Sequence, residues 1–243
     1  MKKHLIICGT FLALGMARPS FAQNEQADAQ FARAGIEAAK AKNWDKAIDN
    51  LRKAVAAHPN DKNNSFNLAL AYQQRGIERV QAKKYDEGIA DLSESLKLNA
   101  ENITAHRFRA FALLAKADYE HALQDYDAVL EHNHNDVEAL DRRAFVHTQL
   151  KQNDQALADY TALVNEKPRD VRGYLGRSYL YEVNGKNELA MADVNKILQI
   201  QPQNEDAQNR KKRLETAAKR ATTQPGGNPA AQPAAPPPAA SPH

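Results

Sequence analysis

Small residues recur through the chain at a fixed interval. Ala122, Ala156 and Ala190 each stand 34 residues from the last, Gly88 stands 34 before Ala122, and Ala47 stands 41 before Gly88. A second column runs Gly76, Ala110, Ala144 and Ser178 at the same spacing, headed by Gly35. A third holds bulky residues: Leu51, Leu92, Tyr126, Tyr160 and Val194. Pro59, Pro168 and Pro202 close three of the units so defined. A period of this length means an array of like supersecondary units, and it constrains the fold more than any composition does.

The stretches between breaks carry apolar residues three and four apart, the spacing of one helix face, over about 12 to 15 residues each. Two antiparallel helices approach closely only where their contact carries Gly, Ala or Ser, because interaxial distance follows side-chain size. The small columns are therefore the contact points of a helix hairpin, and the bulky column fills the space beside them. One hairpin cannot bury its own apolar faces, so neighbours must stack. The units fall near residues 28–61, 62–102, 103–136, 137–170 and 171–204. The second is seven residues longer, with a first-helix pattern at Leu68, Ala69 and Tyr72 repeated at Arg75, Gly76 and Arg79. Seven residues are about two helical turns and keep the apolar stripe on one face, which predicts a single helix from about Lys62 to Ala82. The small column reaches Lys212 in the next unit, where a lysine would hold off a following helix. The stretch from about Glu205 to Arg220 is expected to be a solvent-facing cap.

A paired column of opposite charge runs beside the small residues. Arg75, Arg109, Arg143 and Arg177 are 34 apart, and Asp91, Asp125, Asp159 and Asp193 each follow their arginine by 16. The first unit has Ala34 and Asn50 at those places, so both partners vanish together. The expectation is one structural ion pair per unit between its two helices, held by the bidentate fork of arginine.

The run Ala156-Leu157-Ala158-Asp159-Tyr160 through Pro168, and its counterpart Ala122-Leu123-Gln124-Asp125-Tyr126, resemble the second helix of the tetratricopeptide repeat, a family whose period is 34 residues. The resemblance covers about residues 25 to 220. It implies an all-α, right-handed helical-repeat solenoid of about five such hairpins plus a C-terminal capping helix. It also implies a concave surface, lined by the first helix of each unit, that binds an extended or helical segment of a partner protein. The side of that helix expected to face the groove carries Phe111, Phe145 and Tyr179, with Ile77 one unit earlier. These aromatics either anchor apolar side chains of a peptide or pack between adjacent helices, and the sequence leaves both open. Flanking residues Arg107, Asp141, Gln149, Arg172 and Glu182 mix both signs and indicate no charge class of ligand. The lysine and asparagine clamp that family members use for a C-terminal carboxylate is not evident.

No nucleophile elbow, phosphate loop or paired-histidine metalloprotease motif is present, so no catalytic residue and no cofactor is assigned. His132, His134 and Asp136 crowd one inter-unit turn, with His121 near in sequence. They suit an exposed polar turn, where Asn133 and Asn135 already signal loop chemistry, with metal binding as the alternative.

The ends differ from the body. Lys2 and Lys3 precede an apolar run from Leu5 to Met16, Arg18 and Pro19 break it, and Ser20-Phe21-Ala22 offers small residues for cleavage. Residues 1–22 read as a secretory signal peptide, which makes the mature protein periplasmic or secreted. The run is too short to span a bilayer. The chain's one cysteine, Cys8, lies inside it, so residues 23–243 contain neither a disulfide nor a thiolate site. Setting aside the leader's three bases leaves 30 basic and 30 acidic residues. Six of those bases (Arg210, Lys211, Lys212, Arg213, Lys219 and Arg220) crowd the last helix, leaving a mildly acidic body that is a poor partner for nucleic acid. Thus 23–220 is the repeat domain. From 221 to 243, rich in proline and alanine, the chain is expected to be an extended spacer, an alternative envelope role for it, or a ligand for a proline-reading partner.

Overall fold

The computed structural model describes residues 21–223, with side-chain surroundings for residues 29–220. The described residues form eleven α-helices and no strand. They are α1 (Phe21–Lys40), α2 (Trp44–Ala57), α3 (Lys62–Gln81), α4 (Tyr85–Leu98), α5 (Ile103–Ala115), α6 (Tyr119–His132), α7 (Val137–Gln149), α8 (Asn153–Glu166), α9 (Val171–Val183), α10 (Asn187–Ile200) and α11 (Glu205–Thr223). The leader and the proline-rich tail lie outside the described residues, apart from Phe21 and Ala22 at the start of α1 and Ala221–Thr223 at the end of α11. The last helix thus runs on to Thr223, past the boundary expected at Arg220. The chain divides into two compact units, with the boundary between Asn67 and Leu68, inside α3.

The same two turns are used throughout, each for a backbone reason. Within every hairpin one residue takes a left-handed conformation: Lys42, Lys83, Ala117, Lys151 and Gly185, with φ between 55° and 71°. The amide of the next residue then bonds back to the carbonyl five residues earlier, as in Asn43 to Ala38, Asp118 to Leu113 and Gln152 to His147. This closing of the first helix is the Schellman motif, which satisfies carbonyls the helix end would otherwise leave bare. Between hairpins, Asn102, Asp136, Asp170 and Asn204 cap the following helix through their side chains, accepting from Ala105, Ala139, Arg172 and Ala207 respectively. These cap positions share the 34-residue period.

The small columns stand at the helix contacts. Ala110, Ala144, Ala122, Ala156 and Ala190 are fully buried, and so are Leu92 and Val194. At Gly88 a Cβ would lie 2.6 Å from Val80 Cγ2 and 3.1 Å from the Gly76 carbonyl, so only hydrogen allows this approach of α4 to α3. Helix α3 has 20 residues against 13 in α5, α7 and α9, which is the two-turn excess expected. The final helix packs on α10 through Ala207 and Leu214, while Lys212 is exposed at the place where the small column ends.

Candidate functional site

Each arginine of the charge column meets its aspartate by two parallel hydrogen bonds. Nε and Nη2 donate at 2.8 and 2.7 Å for Arg75–Asp91, 2.8 and 2.7 Å for Arg109–Asp125, 2.9 and 2.6 Å for Arg143–Asp159, and 2.9 and 2.8 Å for Arg177–Asp193. The four aspartates are buried. Hydrogen bonding to Asp159 holds the Arg143 guanidinium above its usual value, and Asp193 does the same for Arg177.

The third arm of the fork does something the spacing of the pair alone does not reveal. Nη1 of Arg109, Arg143 and Arg177 donates to Ser93, Asp127 and Thr161, at 3.1, 2.8 and 3.4 Å. These acceptors are themselves 34 residues apart and belong to the second helix of the preceding hairpin. Each arginine thus ties three helices together, and the column fixes stacking as well as hairpin closure. In α3, Arg79 adds a second guanidinium to Asp91 at 2.6 Å. In α5, His106 adds its imidazole to Asp125 at 2.6 Å, while its other ring nitrogen meets the Ala100 carbonyl. The bond to Asp125 keeps the His106 ring protonated to higher pH than an ordinary histidine, against the opposing effect of burial.

On the first-helix face the charged groove candidates fall into two clusters, one at Arg107 and one at Arg172. Arg107 of α5 grips Asp136, the α7 cap, at 2.5 and 3.1 Å. Burial alone would raise the Asp136 carboxyl, but bonds from Arg107 and from the Ala139 amide hold it below the usual range. Glu138 accepts from Arg142 and from Arg172, each at 2.8 Å. Arg172 also holds Asp170 at 2.7 Å and reaches Asp141 at 3.3 Å. Asp141 is only 8% exposed, and burial pushes its carboxyl up to about 6 against the pull of Arg172. Gln149 is half-buried on α7.

The aromatic positions do not form one continuous exposed ladder. Phe111 packs against the core around Val80, Leu92 and Leu96, with its ring edge-on to Tyr85 at 6.4 Å. The guanidinium of Arg142 covers it at 5.5 Å. Tyr179 packs beside Tyr160 and Leu180 and is covered by Arg210 at 5.7 Å. Ile77 also joins the packing around Leu92. Phe145 is half-buried. The covering residues Arg142 and Arg210 each follow their aromatic by 31 residues, and the same step from Phe145 leads to Gly176.

His132 and His134 are exposed, and Asp136 is engaged by Arg107 and by its own helix start. Among the described residues no group of three His, Cys, Asp or Glu side chains is placed to hold a metal, and no helix is long and apolar enough to cross a membrane.

Residues 147–205 match the sequence profile of the tetratricopeptide repeat. No curated protein sequence matches the chain. Among solved structures, the chain is similar to YrrB, described as a tetratricopeptide-repeat protein with an unusual peptide-binding site, at TM-score 0.60 and 18% identity over 79% of this chain and 96% of that one. A tetratricopeptide-repeat protein from Parabacteroides merdae gives TM-score 0.58 and 19% identity, over 82% of this chain and 76% of the other. MamA gives TM-score 0.52 and 18% identity, over 73% and 93%. At such identities these likenesses describe the fold.

Proposed function

Because this chain is a tetratricopeptide-repeat protein, we propose that it is a binding scaffold acting outside the cytoplasm, which takes a segment of a partner protein along the face of its first helices. The observation that carries the reading is the division of labour between helix faces. The small columns and the arginine–aspartate pairs serve hairpin closure and stacking. The first-helix positions of α7 and α9 hold Asp141, Phe145, Gln149, Arg172 and Tyr179, which hairpin closure does not need. Such a row of aromatic and mixed polar groups on rigid helices suits recognition of a peptide segment. No catalytic role is assigned to any residue.

Export rests on residues 1–22, whose basic start, short apolar run and small-residue cleavage point have the pattern of a secretory leader. Sequencing the mature protein from the periplasmic fraction or medium is expected to give an N-terminus at Gln23. An intact Met1 there, or retention in the cytoplasm, would overturn this half of the proposal.

The groove is tested by placing a photo-crosslinking side chain at Phe145 and, separately, at Ala158 on the exposed side of α8. Crosslinks to a discrete partner from position 145 alone are expected, and Phe145→Asp should abolish its capture while leaving the helical circular dichroism unchanged. Equal crosslinking from both positions would count against the groove.

A further inference from the structure

The aromatic positions of α5, α7 and α9 have a matched requirement that the chain itself meets only twice. Phe111 is covered by the guanidinium of Arg142, and Tyr179 by that of Arg210. In both places the covering arginine is also anchored to a carboxylate, Arg142 to Glu138 at 2.8 Å and Arg210 to Glu182 at 3.1 Å. The middle place breaks the pattern. The residue that should cover Phe145 is Gly176, and no side chain could stand there, because a Cβ would lie 2.2 Å from Tyr160 Cζ.

A carboxylate is nevertheless present. Asp141 lies four residues before Phe145 and so on the same side of α7. It pairs with Arg172 at 3.3 Å, a fork shared with Glu138 and Asp170. Through the gap left by Gly176 the Tyr160 ring reaches α9, and its hydroxyl hydrogen-bonds Thr148 within the influence of Asp141. Counting the charged side chains around Asp141, three acids (Glu138, Asp141, Asp170) face two bases (Arg142, Arg172), an excess of one negative charge.

Resting on the reading of this face as a peptide groove, we infer that the first-helix face at α7 selects an arginine side chain of the bound segment, stacked on Phe145 and paired with Asp141. The bound guanidinium supplies from outside the cation that Arg142 and Arg210 supply from within. It brings a planar cation to an aromatic face and a fork of donors to a carboxylate, two interactions that a leucine cannot make and a lysine makes less completely.

The test uses fluorescein-labelled, end-capped alanine–glycine heptapeptides whose central residue is arginine, lysine, leucine or glutamate, titrated into the mature full-length protein by anisotropy, with amide NMR shifts locating the site. The arginine peptide is expected to bind about tenfold tighter than the leucine peptide and to outcompete lysine, as one cation–π contact plus one desolvated ion pair implies. Phe145→Leu keeps the apolar bulk and Asp141→Asn keeps the shape; each should reduce the arginine preference at least about fivefold without changing the melting temperature materially. Lowering the pH through about 6, where burial places the Asp141 carboxyl, should weaken the arginine peptide for the wild type. Glu138, Asp170, Arg142, Arg172 and Tyr160 all face that carboxyl, so the pH effect is assigned to it only if Asp141→Asn removes the effect. Equal affinity for arginine and leucine, or a preference that survives both substitutions, overturns the inference but leaves the groove standing. Shifts that fall away from α7 and α9 for every peptide overturn both.

Discussion

Hairpin α1–α2 and hairpin α7–α8 close at the same point with different chemistry. In the first, Gly35 lies so close to Leu51 that a Cβ would come within 2.6 Å of its Cγ, and Ala47 and Ala54 are fully buried. The ion-pair positions are Ala34 and Asn50, and the Asn50 amide simply donates to its own helix at Lys46. In the second, Ala144 and Ala156 make the close contact, and Arg143 adds a bidentate bond to Asp159 with a rearward bond to Asp127 in α6. Close approach therefore needs only the small residue. In α5, α7 and α9 the arginine adds stacking to closure, because its third arm reaches an acceptor in the second helix of the preceding hairpin.

The largest expected effect comes from breaking the richer hairpin. Arg143→Ala leaves Asp159 buried without its main partner and should cost about 3 kcal/mol, read as faster amide exchange in α7 and α8. Combined with Asp159→Ala, the loss should fall short of the sum by about 2 kcal/mol; a coupling near zero would mean the pair does not hold the helices together. A smaller effect is expected where closure rests on size alone. Gly35→Ala gains helix propensity but forces Leu51 aside, for a net loss of about 1 kcal/mol in a melt of the mature protein. Unchanged or raised stability would show that α1 and α2 can separate without penalty. The smallest effect should come from installing the missing pair. Ala34→Arg with Asn50→Asp has no helix ahead of it to receive the third arm among the described residues, so it should change stability by under about 1 kcal/mol. A gain as large as the Arg143 loss would make the pair an element of closure and not of stacking.

Much of this is legible in the sequence. The period of the small residues located all five hairpins, and the seven-residue excess gave the long α3. The 16-residue offset of arginine and aspartate named the four ion pairs. Three other features left their own 34-residue columns unread: the capping residues Asn102, Asp136, Asp170 and Asn204, the acceptors Ser93, Asp127 and Thr161, and the turn residues with positive φ. The last is hard to read because lysine and alanine fill places where glycine or asparagine is the usual signal. The joining of His106 to Asp125 had no periodic signal, since Tyr72, Leu140 and Tyr174 stand at the equivalent positions.

The aromatic face marks the limit of the sequence. Phe111, Phe145 and Tyr179 are equivalent by spacing, and spacing alone leaves them equal. Whether each is covered depends on a residue 31 positions later in another hairpin, and on whether a tyrosine ring already occupies that residue's place. By itself the sequence determined the number, length and closure of the hairpins, because those follow from residue size and helical period. The tertiary structure decided which aromatic lies under an internal guanidinium and which carboxylates share a single one, because that depends on how neighbouring hairpins share the space between them.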